Sequence, residues 1–212
     1  MGWAVCLKKG DIMYSAVLDI ETTDLGAVGA GIITCVCVRP MQTKRTRTFH
    51  LGMYEFEPDP MAGFLEREET ALLEAVRDEL RKYHILIGHN LERFDIPYIR
   101  SRAFIRGVTW DVYPVIYDTL KAFRRTRFLT RPNGFGGNSG GLAHVADFAG
   151  AVQDKTAIYP RAWWEQIWGN KKKRLDALNE VAEHCAHDVR MNAAIFDFLW
   201  AADMKPILRR AI

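Results

Sequence analysis

The sequence predicts a three-layer α/β fold, in which a central, mixed five-stranded sheet is flanked by helices. Apolar and β-branched segments of strand length come first, amphipathic and short apolar segments then alternate, and a long helical segment follows near the end. The 212 residues are 49% hydrophobic and 26% charged, which suits one globular domain with a full core. We therefore expect a single domain over residues 1–212.

Three strands that follow one another closely make up the first half of the predicted sheet. Residues 13–20 and 31–38 are rich in apolar and β-branched side chains, and residues 44–51 alternate basic with apolar ones. Their short connections indicate an antiparallel meander.

Helices and two further strands are predicted after this meander. In residues 68–83 apolar side chains recur every four positions, with acids in the first turn and basic residues in the last, which is typical of an amphipathic helix. Residues 85–88 are wholly apolar and indicate a buried strand, and residues 113–118 indicate another. The other predicted helices span residues 95–106, 142–149 and 171–201.

Composition argues against a membrane or secreted protein. No apolar run is long enough for a transmembrane helix, and the N-terminus lacks the pattern of a signal peptide. The cysteines form no CxxC pair, so we expect a reducing, cytoplasmic location; they are Cys6, Cys35, Cys37 and Cys185. The net charge of +3 permits a polyanionic partner without requiring one.

Two acids at the end of the first strand are the first candidate site. Asp19 and Glu21 are two residues apart, so both point to the same face of an extended strand. Two carboxylates this close repel one another unless a cation lies between them, and hard oxygen ligands favour Mg²⁺ or Mn²⁺. The alternative is a strand end with two solvated acids.

Two further segments place acids where they can join this pair. Asp95 follows a buried strand and opens a predicted helix, where an ordinary first-turn acid is the alternative interpretation. His184 and Asp188 are four residues apart and therefore lie on one helical face. A surface His–Asp pair is the alternative, but the neighbours of Asp188 are small or apolar, which indicates partial burial.

These motifs together resemble the DEDD 3′–5′ exonucleases. The chain has Asp-x-Glu-Thr from Asp19, then Asn90 five residues before Asp95, then a helical His184 before Asp188. The middle motif, HNLERFDIPYI, is most similar to the proofreading domains of family-B DNA polymerases. The resemblance implies a ribonuclease H-like fold, a 3′–5′ exonuclease activity and two divalent ions. It also implies that Asp19 bridges both ions, that Glu21 and Asp188 complete one site, and that Asp95 supports the other.

The histidine departs from the family pattern. One subgroup has Tyr four residues before the last Asp and another has His five before it, whereas here His184 occupies the tyrosine spacing. A histidine with an ordinary pKa near 6.5 can accept the proton of a water at neutral pH, so we expect His184 to activate the attacking water. His187 is the competitor, although it projects about 100° around the helix from Asp188.

Candidate contacts to a nucleic-acid strand are spread over several segments. Leu25 matches an apolar wedge that the family inserts beside the terminal base, with a core contact in the loop as the alternative. The remaining candidates near the 3′ end or along the strand are Thr22, Thr23, Asn90, Phe94 and Tyr98. Phe94 and Tyr98 are four residues apart and fit a core position equally well.

A basic cluster precedes a glycine-rich segment. It comprises Lys121, Arg124, Arg125, Arg127 and Arg131. Residues 131–141, which contain five glycines, lack the ending of a phosphate-binding P-loop. We interpret the cluster and this segment together as a guide for nucleic acid, with a solvated helix face as the alternative.

The sequence therefore predicts a metal-dependent 3′–5′ exonuclease that acts on single-stranded ends, favours DNA and releases nucleoside 5′-monophosphates. At 212 residues we expect no polymerase domain, so a role in proofreading or repair requires a separate polymerase or other partner. The alternatives are an exoribonuclease on the same scaffold and a non-catalytic nucleic-acid-binding module. The sequence offers no account of Trp163, Trp164 and Trp168.

Overall fold

The computed structural model describes residues 13–29, 31–54, 63–125, 141–151, 158–202 and 209–210. The strands are β1 (Ser15–Thr22), β2 (Ile33–Pro40), β3 (Arg47–His50), β4 (Ile85–Gly88), β5 (Val115–Asp118) and β6 (Arg209–Arg210). The helices are α1 (Phe64–Leu80), α2 (Asp95–Ile105), α3 (Thr119–Arg125), α4 (Leu142–Phe148), α5 (Pro160–Trp168) and α6 (Lys171–Ala201), with a short 3-10 helix over Leu51–Met53.

The sheet is mixed and has the order β3-β2-β1-β4-β5-β6. The first three strands form the predicted antiparallel meander, and β4 and β5 then add parallel to β1. The predicted fold class is confirmed. The two-residue β6, which sequence reasoning did not predict, pairs antiparallel with the outer edge of β5.

Side-chain alternation along β1 separates two hydrophobic cores, one on each face of the sheet. Leu18 and Ile20 pack with side chains of α1 and α2, whereas Val17 packs with side chains of α3, α4 and α6. Asp19 and Glu21 share the face of Val17 because they are two and four residues from it. The acid pair is therefore turned toward the side of the sheet that α6 covers.

Two helices were not predicted, α3 and α5. Helix α3 begins directly after β5, so no loop residues mark its start. Helix α5 begins with Pro160, buries Ala162 and Gln166 and leaves Trp164 and Trp168 exposed, so its aromatic residues do not follow the stripe of a buried face. Across the described ranges, no helix is long and apolar enough to span a membrane.

A buried ion network ties the loop after β1 to the helices. The Glu69 carboxylate accepts hydrogen bonds from the backbone N–H of Ile33 at 3.0 Å, from Arg102 at 2.8 and 2.6 Å and from Arg106 at 2.6 Å. Arg102 also donates to the carbonyl of Ala27 at 3.1 Å. One carboxylate thus joins α1, α2, β2 and the loop that follows the acid pair.

Candidate active site

Strand pairing fixes the position of the first two acids. In the antiparallel register of β1 with β2, Asp19 lies opposite Cys37 and Glu21 lies opposite Cys35. The register shifts between Glu21 and Thr22, so the regular ladder is interrupted directly after the second acid. Both residues are mostly buried at this end of the strand, on the face toward α6.

Helix α6 brings His184 and Asp188 to the same place. The Nε2 atom of His184 lies 3.9 Å from a carboxylate oxygen of Glu21 and 3.7 Å from one of Asp188. One potential ligand atom from each of these three residues lies within 4.8 Å of the others. The expected i, i+4 pairing on the helix therefore faces the acidic end of β1 rather than open solvent.

Asp95 reaches the acid pair from the first residue of α2. Strand β1 extends beyond its pairing with β4, so the backbone N–H of Ile20 has no partner in that strand. The buried Asp95 carboxylate accepts this hydrogen bond at 3.2 Å. This contact joins α2 to β1 at the acidic end, and the Asp95 charge raises the pKa of Asp19.

The electrostatics of this site are dominated by the burial of its carboxyl groups, with repulsion between neighbouring acids as the second cause. Burial, followed by the charges of Asp95, Glu21 and Asp188, raises the pKa of Asp19 well above its ordinary value. Burial and the Asp188 charge raise the pKa of Glu21 to about 8. Burial and the Asp118 charge raise the pKa of Asp95 to about 7. Without a cation, these groups hold protons that an isolated carboxyl group would release.

Two histidines on α6, His184 and His187, are candidates for the residue that activates the water. His184 joins Glu21 and Asp188 in the group of potential ligands. His187 is buried, and among the described residues its Nε2 atom has no hydrogen-bond partner. The geometry therefore favours His184 as the imidazole beside the acids.

Comparison with known proteins shows which family has this fold and sequence pattern. A family model for the RNase_H superfamily matches residues 16–200. The chain belongs to the ribonuclease H superfamily. No sequence among the curated proteins matches it significantly.

A solved structure supports the same fold. The chain is similar to the family B DNA polymerase from the hyperthermophilic archaeon Pyrobaculum calidifontis, with a TM-score of 0.59 and 16% sequence identity. The similarity covers 91% of this chain and 25% of the polymerase chain, so the chain spans about a quarter of that protein's length. The resemblance inferred from the motifs is confirmed for the superfamily and the fold, and with the acidic cluster it supports a nuclease-type function.

Within this ribonuclease H fold, the loop before Asp95 is held by an acid that sequence reasoning did not select. The buried Asp118 carboxylate, at the end of β5, accepts hydrogen bonds from the backbone N–H groups of Asn90, Glu92 and Lys121 at 3.2, 3.2 and 3.1 Å. Asn90 has a left-handed φ of 63°, which a non-glycine residue adopts infrequently. The available signal was an acid at the last position of the strand predicted over residues 113–118.

The predicted contacts Thr22, Thr23 and Leu25 lie at the last residue of β1 and in the loop that follows it. The Thr22 hydroxyl donates to the carbonyl of Asp24 at 2.8 Å, and the Thr23 hydroxyl accepts from the N–H of Ile32 at 3.0 Å. Leu25 is 84% exposed, so it makes no core contact of the kind that the alternative interpretation requires.

Phe94, directly before α2, and Tyr98, in its first turns, were predicted either to contact a nucleic-acid strand or to belong to the core. Tyr98 is buried in the core, and its hydroxyl donates to the carbonyl of Asp24 at 3.0 Å, so its ring does not line a surface path. Phe94 is half-buried with its ring centroid 5.5 Å from that of Tyr98. The structure therefore places Tyr98 with the core and leaves part of Phe94 available at the surface.

The predicted basic guide falls largely outside the described residues. Arg124 is exposed at the end of α3, and Lys121 forms an ion pair with Glu92. Arg127, Arg131 and all but the last residue of the glycine-rich segment lie outside the described residues, as does the side chain of Arg125.

Proposed function

We propose that this superfamily member is a metal-dependent 3′–5′ exonuclease that hydrolyses phosphodiester bonds at single-stranded nucleic-acid ends, with DNA as the favoured polymer. The observation that carries the proposal is the meeting of four carboxylates and a histidine from three elements at one end of the sheet. These residues are Asp19, Glu21, Asp95, His184 and Asp188. The products are nucleoside 5′-monophosphates.

The donor set fits divalent cations. Carboxylate oxygens are the hard ligands that Mg²⁺ and Mn²⁺ prefer. Burial, followed by repulsion from neighbouring acids, raises the pKa of Asp19 and of Glu21, and a bound cation would favour the ionised form of both. When bound, two such ions would neutralise the phosphate, lower the pKa of the attacking water and stabilise the leaving 3′ oxygen. In this proposal Asp19 would be a ligand of both ions, Glu21 and Asp188 would be ligands of one, and Asp95 would support the other.

His184 accepts the proton of the attacking water at Nε2. This nitrogen lies 3.9 Å from a carboxylate oxygen of Glu21 and 3.7 Å from one of Asp188. In this proposal these negative charges stabilise the imidazolium formed after proton transfer. The exposed Leu25 and the accessible part of Phe94 provide apolar surface for the bases at the strand end. The exposed Arg124 provides a charge for the phosphate backbone.

The test is a cleavage assay with single-stranded DNA and RNA labelled at the 5′ end, in Mg²⁺, Mn²⁺ or EDTA. The proposal expects a ladder that shortens from the 3′ end only when a divalent ion is present. Asp19→Asn should abolish cleavage, whereas Asp176→Asn, which changes an exposed acid on α6, should not alter the rate. Absence of metal-dependent shortening of both polymers would overturn the proposal.

The same assay separates the two alternatives. Metal-dependent shortening of RNA alone indicates an exoribonuclease on this scaffold. Binding of either polymer without shortening, unchanged by Asp19→Asn, indicates a non-catalytic nucleic-acid-binding module. Because the fold is similar to part of a family B DNA polymerase, a separate polymerase or another replication or repair protein is the proposed partner.

A further inference from the structure

Three cysteines meet beneath the acidic site, on the side of the sheet covered by α6. Cys35 and Cys37 are two residues apart on β2 and point to the same face, and Cys185 approaches them from α6. All three side chains are completely buried. Their sulfur atoms lie within 4.8 Å of one another. We call this group the thiol triad.

The dimensions of the thiol triad match those of a metal–thiolate site. Three sulfurs around an ion at about 2.3 Å, in one plane, are separated by about 4 Å. No two of the sulfurs are more than 4.8 Å apart, so none of the separations exceeds that of such a site by more than about 1 Å. The two positions on a strand and the third on a facing helix provide the triangle without any change of register.

Existing contacts hold two of the sulfurs in place. The Cys185 thiol donates to the carbonyl of Asp19 at 3.4 Å, and the Cys37 thiol donates to the carbonyl of Ala182 at 3.8 Å. Cys37 also lies 3.5 Å from the hydroxyl of Thr48. These are weak hydrogen bonds, so replacing the S–H protons by a metal ion breaks little that stabilises the fold.

A carboxylate lies within reach as an additional ligand. Potential ligand atoms of Asp19, Glu21 and Cys185 also lie within 4.8 Å of one another. The thiol triad therefore adjoins the oxygen site, and Cys185 lies within ligand distance of both sets of atoms. Soft and borderline d¹⁰ ions prefer sulfur, whereas Mg²⁺ and Mn²⁺ prefer oxygen, so the two sets of ligands select different ions.

We propose that Cys35, Cys37 and Cys185 form a binding site for one thiophilic d¹⁰ metal ion, of the class of Zn²⁺, Cd²⁺ or Cu⁺. Binding forms three metal–sulfur bonds, and the three thiol protons pass to solvent. This site is separate from the oxygen site proposed for Mg²⁺ or Mn²⁺, and it does not depend on the nuclease activity.

The test is a titration of the full chain with Cd²⁺ in excess Mg²⁺, followed by the sulfur-to-cadmium charge-transfer band in the ultraviolet. A phosphine keeps the thiols reduced, because a thiol reductant would bind Cd²⁺ itself. The wild type should saturate at one equivalent. Cys35→Ala, Cys37→Ala and Cys185→Ala should each weaken the affinity more than about 100-fold. Cys6→Ala, which changes the fourth cysteine, should bind as the wild type does.

Absence of a band that saturates at one equivalent would overturn the proposal, as would an unchanged band in Cys185→Ala or its loss in Cys6→Ala. Circular dichroism shows which variants fold. X-ray absorption at the cadmium edge of the wild-type complex tests the site independently of any variant. Three sulfur ligands support the thiol triad as the binding site, and fewer than three overturn it.

Discussion

The Nε2 atom of His184 lies 3.7 Å from a carboxylate oxygen of Asp188, one helical turn further along α6. Replacing the imidazole with a methyl group removes the proton acceptor and leaves the carboxylates in place. We expect His184→Ala to lower the cleavage rate about 10²–10⁴-fold, with a smaller effect on KM. Single-turnover cleavage at several pH values measures the rate and shows whether its fall in acid disappears with the histidine.

Glu183 provides the matched control for His184. It precedes His184 on the same helix, is exposed, and stands at the position where one exonuclease subgroup has its histidine. Glu183→Gln should keep the wild-type rate and pH profile. A wild-type profile in His184→Ala would show that this histidine does not accept the proton.

Carboxyl groups with raised pKa values predict how the stability of the metal-free protein depends on pH. The pKa of Glu21 rises from 4.5 to about 8, and the pKa of Asp95 rises from 3.8 to about 7. Between the ordinary and the raised values the native chain holds protons that the unfolded chain has released. The free energy of unfolding therefore falls as the pH rises from about 5 to about 8.

Glu21→Gln isolates one part of this effect. The variant should gain stability over the metal-free wild type as the pH rises through that range, by on the order of 3–5 kcal/mol at the alkaline end. Thermal unfolding in EDTA measures the difference. Added Mg²⁺ should raise the Tm of the wild type more at pH 8 than at pH 5, because ionised ligands bind the ion. A gap between variant and wild type that does not change with pH would contradict the prediction.

Sequence patterns predicted helices and strands best where the apolar residues of a segment follow a single pattern. The structure gives β4 the predicted residues 85–88 and α6 the predicted residues 171–201, because a short apolar segment and a long periodic segment each allow one interpretation. Helices α3 and α5 were missed, since one follows a strand without a loop and the other exposes Trp164 and Trp168.

Local periodicity also explains which parts of the site were predictable. The shared direction of Asp19 and Glu21 follows from strand alternation, and that of His184 and Asp188 follows from helical spacing. The contact of Asp95 with Ile20 joins residues far apart in the chain, so its position was inferred from the family resemblance instead. The burial of Tyr98 depends on the path of the loop after β1, which local patterns do not encode.

The buried ion network around Glu69 predicts that replacing Arg102 destabilises the fold far more than replacing the surface residue Arg81. Arg102 donates twice to this fully buried carboxylate and is itself buried. Arg102→Ala leaves the Glu69 charge with fewer partners, and we expect it to destabilise the fold by about 3–5 kcal/mol. Arg81, which pairs with Asp111 on the surface, is the control, and Arg81→Ala should change the free energy of unfolding little because solvent screens that pair. Urea unfolding of both variants measures the contrast, and equal midpoints would contradict it.

From the contacts of Asp118 we expect this acid to be needed for cleavage, although it is not one of the four proposed metal ligands. Its carboxylate accepts backbone N–H groups of Asn90, Glu92 and Lys121, and so holds the loop that leads into Asp95. Asp118→Ala leaves these donors without their acceptor, at a cost of about 1–3 kcal/mol each where they remain buried. We expect a lower Tm and, at a temperature where the variant is folded, a kcat that falls more than KM rises, because Asp95 loses its position. Asp118→Asn keeps one acceptor oxygen and should be intermediate in both measurements. Full activity in a folded Asp118→Ala variant would show that the loop keeps its shape by other means.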